Sequence, residues 1–138
     1  MKHTAHAHWE GSLKEGKGTL TTQSGALKNI NSGLKARFEE DEIGTDPEEL
    51  LAATHAGCYT MAVCSLLTRR GLDPATLDTE ATVTMENSGI TAMNLFIKGL
   101  VKDISPEEFV AIAKEAERDC MISKILRIPI NTEARLVA

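Results

Sequence analysis

The sequence predicts an α+β protein, mostly antiparallel sheet around one long central helix. Three observations carry this. An apolar run from Pro47 to Arg70 has helix signals at both ends. The stretch LDTEATVTMEN alternates apolar and polar residues with a period of two. The first forty residues are rich in Gly, Thr and Ser and lack helical periodicity.

Taken in order, AHAHWEGSL alternates weakly, and GKGTLTTQSGAL reads as strand and turn, with Ser24-Gly25 at a hairpin. GLKARFEED reads as a strand with Leu34, Ala36 and Phe38 on one face and Lys35, Arg37 and Glu39 on the other. The central helix then begins. Asp46 can cap it, Pro47 suits its first position, and Glu49 completes a capping box by bonding back to the cap. It stops at Gly71 after roughly 36 Å at ~1.5 Å per residue. Ala53, Gly57, Cys58 and Met61 share one face, and Ala56, Tyr59, Val63 and Leu66 the other. A helix apolar nearly all round calls for cover from its own sheet and from a second subunit.

Beyond Asp73-Pro74, Leu77, Thr79, Ala81, Val83 and Met85 point inward from a strand. ITAMNLFIKGLVK pairs with it across Asn87-Ser88-Gly89. SPEEFVAIAKEAERD is a second helix, boxed by Ser105 and Glu108, with Phe109, Ile112, Ala113 and Ala116 as its buried stripe. CMISKIL reads as a short helical turn and RIPINTEARLV as a last strand. No repeat or linker interrupts the chain, so residues 1–138 are expected to form one domain.

Composition narrows the function classes. A net charge of -5 disfavours nucleic acid and acidic membrane surfaces as partners. No stretch reads as the roughly 18 apolar residues of a membrane span. MKHTAHAHWEG has no apolar signal core, so the expected location is the cytoplasm. The 3 cysteines, an odd number without a CxxC, argue against a structural disulfide framework and a zinc ribbon.

Several side chains could carry chemistry. Cys58 sits mid-helix beside Gly57, and Cys120 opens a turn where Asp119 can cap and the helix N-terminus can favour a thiolate. Two sequence-distant thiols suit a reversible disulfide if they meet; otherwise each is core packing. Cys64 lies about 240° around the helix from Cys58 at ~3.6 residues per turn and reads as packing. Glu48 favours the positive helix end, but about 15 Å separates it from Cys58 along one helix. To serve that thiol it must come from an antiparallel copy, and alone it reads as a solvated first-turn residue. Arg37 reads as a strand surface residue or as a guanidinium set against a thiolate. His55, three residues before Cys58, can act as a base or simply pack. His3, His6 and His8 form a weak metal signal without further ligands at helix spacing.

HWEGSLKEGKGTLTTQSGAL, ARFE, GTDPEELLAATHAGCYTMA and AKEAERDCMISKIL together resemble the osmotically inducible protein C (OsmC) family of peroxiredoxins, over nearly the whole chain. HWEG and RFE make the likeness closer to that branch than to the organic hydroperoxide resistance (Ohr) branch. The resemblance implies an OsmC-like fold, an intertwined homodimer with sites between subunits, and no metal, haem or flavin. It matches Cys58 to the peroxidatic cysteine, Cys120 to the resolving one, Arg37 to the arginine of RFE and Glu48 to the glutamate of P-E-E-L, which would orient that guanidinium bidentately. A thiol peroxidase of organic hydroperoxides, and more weakly hydrogen peroxide, is implied, with an external dithiol, of lipoyl type, restoring the disulfide. Two departures stand out. Met121 follows Cys120 where the family usually has proline, which removes a fixed φ from the resolving turn. The early Gly-rich loop offers Lys14 and Lys17 where the Ohr branch has arginine. A redox sensor or a dimer binding a small apolar ligand are the rival readings.

Overall fold

The computed structural model describes residues 1–39, 43–87 and 89–137, in two compact units, Met1–Leu50 and Leu51–Ala138. The first unit holds an antiparallel sheet of β1 (Ala5–Glu10), β2 (Lys17–Thr22) and β3 (Ile30–Asn31), in that order. Gly18 is required here: a methyl in its place would lie 2.6 Å from the Trp9 ring and 2.3 Å from the Ser32 carbonyl. The Ser24-Gly25 turn forms as expected, with Gly25 at φ +80° and its N–H donating to the Thr22 carbonyl at 2.9 Å.

The segment read as a third strand is a short helix instead, α1 (Leu34–Phe38). Arg37 N–H bonds back to the Gly33 carbonyl at 3.1 Å, and Glu39 N–H to Lys35 at 2.7 Å. Five residues cannot separate a period of two from one of 3.6. Phe38, grouped with Leu34 and Ala36 on one strand face, is 68% exposed. Glu40 and Asp41 of that predicted strand lie outside the described residues.

The central helix is α2 (Pro47–Arg69). Asp46 caps it, accepting from Glu49 N–H at 2.7 Å. The Glu49 carboxylate does not return to the cap; it takes the Thr45 hydroxyl at 2.7 Å. A Schellman motif ends the helix, with Gly71 at φ +74°, Leu72 N–H on the Leu67 carbonyl and Gly71 N–H on Thr68, both at 3.0 Å.

The second unit places β4 (Pro74–Glu86), β5 (Gly89–Val101) and β6 (Ile130–Leu136) in one sheet. β4 and β5 are antiparallel; Ser88 of their turn lies outside the described residues. β6 runs parallel to β5, a departure from the antiparallel expectation, because α3 (Pro106–Asp119) carries the chain back before β6 begins. Leu77, Thr79, Ala81 and Val83 face inward, but Met85 is 38% exposed, since a register shift between Thr84 and Met85 reverses the alternation. α3 has the full capping box of Ser105 and Glu108 and buries Phe109, Ile112, Ala113 and Ala116. A brief α4 (Met121–Ile125) follows.

The core of this unit joins Tyr59, Val63, Leu66 and Leu67 of α2 to Met93, Leu95 and Ile97 of β5 and the α3 stripe. Each such large apolar side chain contributes about 1.5–3 kcal/mol on burial. Contrary to the composition reading, α2 is long and apolar enough to cross a bilayer by length and composition alone. Its apolarity serves the core on one side. On the other, Ala53, Gly57 and Met61 are exposed.

Candidate active site

α2 presents Cys58 half-buried at the edge of the core, and Cys120 sits where α3 ends and α4 begins, 1% exposed. Their chain separation is 62 residues, yet Cys120 Sγ approaches Cys58 Sγ to 3.2 Å, as donor to acceptor. Both are free thiols. Cys64, one helix face away, is half-buried and outside the pair.

The two thiols are tuned in opposite directions. Burial pushes Cys58 up, but the peptide N–H of Ile122, the Cys120 thiol and the N–H of Met121 together outweigh it and hold Cys58 below the ordinary thiol range. Burial pushes Cys120 up, and the nearby N–H groups of Ser123 and Ile122 and the Ser123 hydroxyl do not offset it. The sequence placed the activating helix end at Cys120; its N–H groups act on both sulfurs, those of Ile122 and Met121 on Cys58 and those of Ser123 and Ile122 on Cys120, and only at Cys58 do they outweigh burial. The expected Asp119 cap is absent too: Asp119 closes α3, and Cys120 is the cap residue of α4. Cys120 adopts φ −60°, ψ 125°, which a following proline would also permit. Met121 therefore leaves the turn's shape intact and adds an N–H that proline lacks, one of those facing Cys58.

In the first unit, Arg37 Nε donates to Glu48 Oε2 at 3.0 Å, with both side chains mostly covered. The contact is single rather than bidentate. The terminal nitrogens of Arg37 make no hydrogen bond among the described residues, and its guanidinium lies 6.0 Å from the Phe38 ring.

His55 does not touch the thiols directly. It is fully buried, with Nε2 2.8 Å from Ser123 Oγ, and burial holds its pKa below the ordinary value despite Glu117 nearby. Sequence reading missed Ser123; its place at the third position of α4, three after Cys120, was the available signal. Of the N-terminal histidines, His8 pairs with Glu10 at 3.2 Å, and among the described residues no three metal-binding side chains gather.

Two thiols in contact, one activated and half-exposed and the other buried, can pass reversibly between dithiol and disulfide, and they do so on an α+β frame with a long core helix. That is the class of protein the fold and the pair define. The OsmC-like protein family model matches residues 39–135, and the chain belongs to that family. It is 37% identical over 134 residues to the peroxiredoxin OsmC of Escherichia coli strain K12, covering 94% of this chain and 93% of that one. Among solved structures it resembles the OsmC-like protein of Mycoplasma pneumoniae, with a TM-score of 0.77 at 17% identity, over 100% of this chain and 99% of the other. The organic hydroperoxide resistance protein OhrB of Bacillus subtilis matches with a TM-score of 0.72 at 22% identity, over 97% and 98%.

Proposed function

We propose that this protein is a cysteine-based hydroperoxide reductase, with Cys58 as peroxidatic and Cys120 as resolving residue. The observation that carries the reading is the 3.2 Å contact between the two sulfurs. The similarity to a named peroxiredoxin over nearly the whole chain supports the reaction class.

The Cys58 thiolate attacks the terminal oxygen of a hydroperoxide. The O–O bond breaks, the leaving alkoxide takes a proton to become an alcohol, and Cys58 becomes a sulfenic acid. Cys120 then forms the S–S bond as the sulfenic hydroxyl departs with a proton as water. An external dithiol, of lipoyl type, restores both thiols by exchange and is itself oxidised. The terminal nitrogens of Arg37, without a hydrogen bond among the described residues, suit a peroxide oxygen, and Glu48 orients the guanidinium from its Nε side. Glu48 and Cys58 are ten residues apart on α2, so Arg37 and Glu48 reach Cys58 as the pair of a second copy in a homodimer. The exposed Ala53, Gly57 and Met61 stripe supports such a partner, and its small residues suit a cleft for a substrate's organic tail. Organic hydroperoxides are the preferred substrates, with hydrogen peroxide slower, and the cytoplasm is the proposed location.

Intact mass after one equivalent of organic hydroperoxide tests the reading. A loss of about two protons, mapped to a Cys58–Cys120 peptide, is expected. Consumption of peroxide with both cysteines still open to alkylation would overturn it.

A further inference from the structure

Two contacts tie α2 to the start of α4, and the proposed mechanism uses one of them. Cys58 meets Cys120, the cap residue of α4, at 3.2 Å. Further back on α2 and further along α4, His55 Nε2 lies 2.8 Å from Ser123 Oγ. His55 is fully buried, and its Nδ1 has no hydrogen-bond partner among the described residues. An imidazole so placed is a poor choice for packing alone. A buried polar atom without a partner carries its full desolvation cost, which an apolar side chain of similar size avoids. The bond from Nε2 to Ser123 is what the imidazole supplies and leucine could not.

α4 has little else to hold it. It is five residues long, with no fully buried residue. Met121, Lys124 and Ile125 are exposed, and within α4 only Ile122 and Ser123 are half covered, Ile122 against the core. At its start the Cys120 N–H bonds back to the Ala116 carbonyl at 2.9 Å, which ties Cys120 to α3 rather than to α2. Segments with few buried contacts open locally at low free-energy cost. The Cys120 sulfur sits on the turn that opens α4, so lifting α4 from α2 takes it out of range of Cys58. A disulfide requires the two sulfurs about 2 Å apart.

We propose that His55 and Ser123 are positioning residues: their hydrogen bond latches α4 to α2 and keeps the resolving sulfur within bonding range of Cys58. The direction of the proton in that bond is immaterial, because either group can donate and the other accept. The latch and the Cys58–Cys120 disulfide pin the same two elements. Each spares the other part of the ordering entropy, so they stabilise one another. In the peroxidase cycle, on which this reading rests, the latch decides the fate of the Cys58 sulfenic acid. With Cys120 in place the S–S bond forms and water leaves. With α4 lifted, a second hydroperoxide reaches the sulfenic acid first and carries it to the sulfinic acid, itself becoming an alcohol.

The latch is testable without peroxide. The whole chain is equilibrated at about pH 7 in dithiothreitol buffers of graded reduced-to-oxidised ratio, labelled with iodoacetamide in denaturant and read by peptide mass. Reduced dithiothreitol passes two electrons and two protons to the disulfide, so the midpoint ratio measures how firmly the paired thiols are held. Ser123→Ala and His55→Leu free the dithiol form more than the disulfide form, which stays cross-linked. Their disulfides should be half-reduced at about three- to tenfold less reduced dithiothreitol than the native one, or about 14–30 mV at ~29.6 mV per decade. His55→Gln, whose amide can meet Ser123 as donor or acceptor, should stay within about twofold of native. His55→Leu/Ser123→Ala should shift no further than the larger single variant, because the same bond is lost only once. A native chain that forms no Cys58–Cys120 disulfide in these buffers would overturn the latch and the peroxidase reading together. A native disulfide with Ser123→Ala at the native midpoint, or with His55→Gln shifted as far as Ser123→Ala, would overturn the latch alone. Those two variants decide it even where His55→Leu does not fold.

Discussion

Cys58 and Cys120 are held by a core helix and by the turn between two further helices, with the Tyr59, Phe109 and Ala116 cluster at their back. Arg37 and Glu48 are held differently. One stands on α1, five residues with no side-chain cap and no buried residue, and the other on the first turn of α2. One ion pair and a few backbone bonds fix the guanidinium. The sulfurs inherit their placement from packing, which resists change because displacing a core helix disturbs many contacts at once. Among the described residues, one Nε–Oε2 bond holds the guanidinium. Chemistry that needs two atoms to bond calls for the first kind of support; charge that must meet varied substrates can accept the second.

Three substitutions test that contrast, in falling order of effect. Cys58→Ser should abolish peroxide consumption, a loss of at least about a thousandfold, while Cys120→Ser should allow one turnover and then stall or over-oxidise. Full recurrent activity in the first variant would remove the sulfur pair from the chemistry. Arg37→Lys keeps the charge but loses the planar fork and its Nε donor to Glu48. Activity should fall by roughly ten- to a hundredfold, with the Cys58–Cys120 disulfide still forming under a mild oxidant. If that disulfide were lost as well, the two regions would not be independently supported.

Met121→Pro is the finest probe. It deletes one N–H beside Cys58 while Cys120 already has a backbone that proline accepts. Cys58 is held below the ordinary thiol range, so removing a donor moves its titration upward. Below that midpoint the thiolate fraction falls, and labelling near neutrality should slow by about tenfold or less. At high pH, where both forms are thiolates, the two rates should converge. A constant ratio at every pH would point to altered access instead.

Much of this arrangement was legible in the residues. Asp46, Pro47 and Gly71 bounded α2, and Ser105 with Glu108 opened α3, because caps act locally and leave a local signature. The contact of Cys58 with Cys120 bridges 62 residues; the residues alone offered the pair beside plain core packing, and the family resemblance favoured it. α1 was misread because five residues carry too little periodicity. Met85 was misplaced because a register shift has no compositional mark. The recipient of the α4 N–H groups depends on where another element crosses that helix end, which spacing along the chain does not encode. The His55–Ser123 contact, across 68 residues, escaped for the same reason.

In the proposed cycle, the unequal covering of the two sulfurs would set the regiochemistry of reduction. Once they are bonded, an incoming thiol has a line of approach to Cys58, half-exposed, and none to Cys120 in the interior. In that cycle the reductant then becomes transiently attached to Cys58, expelling Cys120 as leaving group, and a trapped mixed disulfide is expected to carry its adduct there.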